Sequence, residues 1–308
     1  LARRLKRPQE MLTPISTGAS VAEPQVGQRE RFWISDVARK RFVRATTTLQ
    51  LKTTHVYMYV QVGEALPIDT LRQVAEQFEQ RIMTTDQAIF GTQELMAPGR
   101  DAHISIINGD VPGVSGYFSS EDTFGSSVSP YSNQRLAIYA NVRSMKPGTD
   151  RYAAMLAHEY QHLLEFGFRP HVDSWLNEGS SMLAQKVNGL PLGGNVPRAF
   201  FLSPDTQLTS WSSDPRAAEA HYAAAYLWLD YFTSRFGGPS IMRSILHSPG
   251  TDLGVFSEFL ARQGESERLI DVMADWAVAN YVNDRTLGDG RYGYADVQDH
   301  AVVRGVAS

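Results

Sequence analysis

The stretch AMLAHEYQHLLEFG, residues 154–167, stands where the chain changes character. Ahead of it, RFWISD (31–36), RFVRATTTLQL (41–51) and HVYMYVQV (55–62) are rich in β-branched and aromatic residues with partial period-two alternation, which predicts an antiparallel strand unit. PIDTLRQVAEQFEQRI (67–82) sets Leu71, Val74, Ala75, Phe78 and Ile82 at helical spacing behind Asp69 as N-cap. AHISIING, GVSGYFSS and RLAIYANV predict three more short strands. The quoted stretch itself falls in a helix predicted from about Asp150 to Phe166, capped by Thr149 or Asp150 and stopped by Gly167. Beyond it the patterns turn helical: SWLNEGSSMLAQKVNG (174–189), PRAAEAHYAAAYLWLDYFTSRFGG (215–238) and three further segments up to Asp284. Strands first and helices afterwards predict an α+β fold, with a mixed or antiparallel N-terminal sheet and a mainly helical C-terminal part.

The expected organisation follows that change. Residues 1–28, basic at the start and then a Pro, Gly, Ser and Thr mixture, read as a mobile arm or the remnant of a pro-segment. Residues 29–167 form an α+β subdomain ending in the HEYQH helix, residues 168–290 a helical subdomain, and residues 291–308 a tail whose surroundings (DGRYGYADVQDHAVVRGVAS) return to strand-like composition.

Composition narrows the chemistry. A net charge of −4 over 308 residues offers no basic field for a phosphate backbone, so nucleic acid is not an expected partner. No apolar run is long enough for a membrane span. With no cysteine, any metal must be held by His, Asp or Glu. A first residue that is Leu rather than Met, in a cysteine-free chain, fits an exported protein of the secreted or cell-envelope kind.

On a helix, His158 and His162 stand one turn apart on one face, and Glu159 lies about 100° round from His158. Two imidazoles can therefore grip one ion while the carboxylate reaches a water on it. A catalytic zinc needs a third protein ligand and an open fourth position. The metzincin pattern would put glycine at 165 and histidine at 168, but the chain has Glu165 and Phe168. Nearby candidates are His171, Asp173 and Glu178; Glu178, in WLNEGSS at the start of the next helix, lets two antiparallel helices converge on the ion.

HEYQH followed by WLNEGSS resembles the gluzincin zinc metallopeptidases. More closely, HEYQHLLEF, WLNEGSSMLAQ, LTSW, AHYAAAYLWLDYF and DWAVANYVND are similar to the hyicolysin-like and immune-inhibitor-A-like peptidases of bacteria and archaea, over about 115–294. The resemblance implies a zincin-like (thermolysin-like) fold and one Zn2+ held by His158, His162 and Glu178. It also implies Glu159 as general base, with Tyr222, and second His221, as donors to the oxyanion. Two departures stand out: Ala223 replaces the family's glycine, and Met182 stands where an acidic residue would support a zinc histidine.

The expected function is a zinc endopeptidase acting on protein or peptide substrates. A metalloaminopeptidase is the alternative enzyme, although its G-x-M-E-N type element is missing and SPYSNQRLAIYANV stands before the helix instead. A zinc-retaining inactive binding or envelope protein is the non-enzymatic alternative. GVSGYFSS is expected at the sheet edge above the zinc helix, able to receive an extended peptide as an added strand, with Gly113 and Gly116 allowing close approach. Structural calcium at acidic positions (Glu121, Asp122, Asp284, Asp289, Asp296, Asp299) is a secondary reading, since none shows EF-hand spacing.

Overall fold

Strands form where the β-branched and aromatic runs lie. β1 (Arg29–Asp36), β2 (Arg41–Lys52) and β3 (Val56–Gln61) pair antiparallel, as their alternation predicts. The computed structural model describes residues 23–93, 101–193, 196–212 and 214–301. Most of the expected N-terminal arm thus lies outside the described residues. β4 (Ile104–Gly109), β5 (Gly116–Phe118) and β6 (Leu136–Asn141) complete one mixed sheet in the order β1-β2-β3-β4-β6-β5. β3, β4 and β6 run parallel, while β5 pairs antiparallel to β6 at the edge. Parallel neighbours need a crossover, and helical chain between β3 and β4 supplies one.

That crossover starts as α1 (Ile68–Gln77), widens through a π-helical turn (Phe78–Met83) and continues as α2 (Thr84–Phe90). Its N-cap is Pro67, not Asp69. Pro67 is extended and its carbonyl accepts the Leu71 N–H at 3.1 Å, whereas Asp69 sits inside the first turn, where a carboxylate suits the helix dipole and pairs with Arg72. The HEYQH helix, α3 (Asp150–Phe168), is capped by Thr149, whose Oγ1 accepts the Tyr152 N–H at 3.4 Å. Gly167 does not stop it. A glycine permits the left-handed turn without compelling it, and the helix runs on to Phe168.

The chain divides into two compact units, the first drawing its described residues from 23–87, 92–167 and 188–191. In this unit the sheet has apolar residues on both faces. Met58, Ile104, Ile106, Leu136 and Ile138 face Leu71, Val74, Phe78, Leu156, Tyr160 and Leu163 of α1, the π turn and α3. Phe32, Ile34, Leu49, Tyr57, Tyr59, Ile107, Tyr117 and Tyr139 fill the other face. At roughly 1.5–3 kcal/mol for each large apolar side chain removed from water, these two layers supply the main drive to fold this unit.

The second layer closes because the sheet curls. β1 and β5 are opposite edges of the sheet, yet the Ser35 N–H donates to the Tyr117 hydroxyl at 2.9 Å. The Asn133 side chain spans the same gap: its Oδ1 accepts the Trp33 N–H at 2.8 Å and its Nδ2 donates to the Trp33 carbonyl at 2.9 Å. Asp122, in a 3-10 turn after β5 (Ser120–Thr123), completes the network. It accepts the Tyr139 hydroxyl at 2.5 Å and the Asn133 N–H at 2.6 Å.

The second unit draws on 88–91, 168–187 and 192–301. It comprises α4 (Ser174–Val187), α5 (Arg198–Phe201), α6 (Pro215–Phe236), α7 (Met242–Leu246), α8 (Gly254–Gln263) and α9 (Leu269–Val282). Trp228 of α6 lies at its centre, with Phe232, Phe256 and Trp276 rings within 5.5 Å. α5 is too short to leave a periodic signal. The strand-like tail forms no strand among the described residues; Tyr294, Val297 and Ala301 instead bury themselves in this helical core, which accounts for their apolar character. No described helix is long and apolar enough to cross a membrane.

Burial pushes the Asp122 carboxyl up to about 7, against the relief its hydrogen bonds to Tyr139 and Asn133 provide. The folded state therefore holds a proton that the unfolded chain releases near pH 4. This contribution to stability is complete below about pH 4, falls as pH rises towards 7, and is constant above. Urea unfolding midpoints measured across pH should show that decline in the native chain and a flatter profile in Asp122→Asn.

Candidate metal centre

Helical geometry brings two imidazoles of α3 onto one point. His158 and His162, both half-buried, set their rings nearly perpendicular (85°) with the two Nε2 atoms 3.2 Å apart. Two zinc–nitrogen bonds of ~2.0–2.1 Å at a tetrahedral angle would place their donors ~3.3 Å apart, so this pair fits a single ion. Glu178, buried on α4, joins them: one ligand atom from each of the three residues lies within 4.8 Å of the others. Among the described residues this is the one group of three His, Asp or Glu side chains able to hold a metal. The other two candidates, His171 and Asp173, are exposed and stand outside it.

Glu159 is the carboxylate beside this pair. It is only 8% exposed, and its Oε2 accepts the Phe118 N–H at 2.9 Å. The donor follows from strand alternation. Asn141 N–H bonds the Ser115 carbonyl, so Ser115 and Tyr117 turn their amides toward β6 while Gly116 and Phe118 turn theirs outward. GVSGYFSS does form the sheet edge, as expected, but as a strand of three residues with one outward N–H already held by Glu159. A peptide added there would meet the Gly116 N–H and carbonyl and the Phe118 carbonyl. Gly116 is required by the fit: a Cβ would run into the Met155 side chain of α3 and come within 2.8 Å of the Tyr139 carbonyl oxygen.

On α4, Gly179 follows Glu178 and lets α6 come close; a Cβ there would stand 3.1 Å from Ala225 and 3.0 Å from Leu229. Tyr222 and His221 lie one turn ahead of Ala225 on the same side of α6. Trp211 flanks both, edge-on to the Tyr222 ring at 4.8 Å and 5.9 Å from that of His221. Burial lowers the His221 pKa, opposed in part by a hydrogen bond with the Gln207 backbone, so this imidazole is neutral near pH 7. Ala223 is fully buried, and Met182 is a core residue of the second unit, 4% exposed.

Four of the acidic positions named for calcium have protein partners. Glu121 accepts the Ser129 hydroxyl, Asp122 is bound by Tyr139 and Asn133, Asp284 by Thr286, and Asp296 pairs with Lys186.

Comparison with models of known protein families gives no match, and comparison with curated proteins gives none. The functional reading therefore rests on the motifs and on this geometry.

Two features of the site escaped the sequence. The Phe118 donor is a backbone amide, which no residue type announces. Trp211 lies in the LTSW segment that carries part of the family resemblance, but its place beside His221 and Tyr222 depends on how residues 202–212 fold back on α6.

Zinc titrated into metal-free protein should raise its melting temperature, since a ligand at 100 times its Kd stabilises by about 2.7 kcal/mol. His162→Ala should abolish that rise.

Proposed function

We propose that the protein is a gluzincin-type, zincin-like zinc metallopeptidase that cleaves peptide bonds within a chain. One observation carries the reading: a single helix presents two converging imidazoles and, beside them, a buried carboxylate fixed to the edge of a sheet. His158, His162 and Glu178 would hold the ion. When bound, zinc supplies Lewis acidity and brings the pKa of a water toward 7.

Glu159 is the proton carrier. Its Oε2 is occupied by the Phe118 amide, which leaves Oε1 to take the proton of the attacking water and later deliver it to the leaving amine nitrogen. The same Phe118 N–H bond fixes the orientation of the carboxylate that makes this first transfer. Tyr222 through its hydroxyl, and second His221 through a ring N–H, would donate to the carbonyl oxygen as it gains charge. The outward groups of Gly116 and Phe118 give an extended substrate backbone short, sequence-independent contacts. An exported role, in the medium or the cell envelope, accords with a chain that carries no cysteine.

A quenched-fluorescence peptide blocked at its N-terminus should be cleaved, lose cleavage with chelator and regain it with zinc; an aminopeptidase would leave it intact. Glu159→Gln should retain zinc and lose activity by a factor of about 10²–10⁴, the range for removing a general base. Tyr222→Phe should lower kcat by about 10²-fold with KM little changed, as expected for a donor acting mainly in the transition state. A Glu159→Gln protein that hydrolyses at the native rate would exclude this mechanism.

A further inference from the structure

The strand that donates to Glu159 is three residues long and lies at the edge of the sheet, too short for its own ladder to hold it firmly. What holds it lies on the other face of the sheet. Tyr117, next to Phe118, stands directly opposite Tyr139 in the β5–β6 register, and the two rings stack at 4.4 Å. The Tyr139 hydroxyl donates to Asp122 and accepts from Asn133 Nδ2, while Asp122 also takes the Asn133 N–H. Asp122 comes four residues after Phe118, so its two bonds clamp the chain as it leaves β5.

We propose that Asp122, acting through Tyr139 and Asn133, is a positioning residue for Glu159: it fixes β5 so that the Phe118 amide stays on Glu159 Oε2. This inference rests on the reading of Glu159 as the proton carrier. A carboxyl group that is 2% exposed is an expensive way to fill a core, because burying it forgoes hydration that an apolar side chain would not need. A fully satisfied polar network specifies one geometry where an apolar contact would accept several. The geometry specified here is that of the chain leaving a three-residue strand. Its Phe118 amide would lose the Glu159 oxygen with a shift of less than an ångström.

The test follows the amide itself. In protein labelled with ¹⁵N-phenylalanine, Glu159→Gln should move the Phe118 proton resonance upfield as its charge-assisted bond is lost. Asp122→Asn and the milder Tyr139→Phe should move it the same way and speed its hydrogen exchange about 10-fold, a local opening rather than global unfolding. The amides of Phe78, Phe232 and Phe256 should stay put, as should Phe118 in Ser129→Ala, which removes a different hydrogen bond of the same loop. In kinetics, both network variants should lower kcat about 10-fold with KM nearly constant, the mark of a misplaced group rather than weakened binding. A Phe118 amide unmoved in folded Tyr139→Phe would overturn the proposal, as would an equal shift in Ser129→Ala. If wild-type protein hydrolyses nothing, the peptidase reading fails, while the amide measurements still decide whether Asp122 sets the Phe118–Glu159 bond.

Discussion

A nearly buried carboxylate needs a hydrogen-bond donor, and Glu159 finds one in the backbone of a strand 41 residues earlier. That single bond ties the sheet edge to the HEYQH helix and sets demands on everything around it. The strand must run close over α3, which rules out any side chain at Gly116. It must present Phe118 outward, which fixes the β5–β6 register, because a slip of one residue would turn that amide into the ladder. It must also end where it does, and the buried turn around Asp122 ends it.

Much of this architecture was legible because it is periodic. The β-branched runs of the first three strands and the spacing of Leu71, Val74, Phe78 and Ile82 each report a face, and faces are what a core selects. The two histidines and Glu159 were legible for a related reason: helical spacing converts sequence distance directly into spatial distance. Other parts were hidden because they depend on partners far along the chain. Asp69 looked like a cap, but Pro67 already had the extended backbone a cap needs. Gly167 looked like a stop, but glycine only permits one. Tyr294, Val297 and Ala301 looked like strand residues because a chain segment packed irregularly onto helices needs apolar side chains just as a strand does. Asp122 read only, and secondarily, as a calcium ligand, because nothing local reveals that Tyr139 and Asn133 wait behind the sheet.

The helical unit meets its own requirement with different means. Glu178 must sit on a helix that packs tightly, and the small pair Gly179 and Ala225 lets α4 and α6 approach almost backbone to backbone. Met182, the residue most at odds with the family resemblance, is one turn further along the same helix and has gone to the core. In the proposed zinc site, a carboxylate or carbonyl that orients His158 or His162 would therefore come from a position other than 182.

The paired bonds between Asn133 and Trp33 have a consequence for the protein's behaviour in a crowded solution. β1 is an edge strand of eight residues, and a strand edge can template pairing with a foreign strand. An asparagine amide that takes both the N–H and the carbonyl of Trp33 imitates a strand neighbour at one position and leaves no vacancy there for another chain. The same side chain that helps clamp the loop after β5 thus occupies one pairing position of this edge, and the Tyr117 hydroxyl occupies another at the Ser35 N–H.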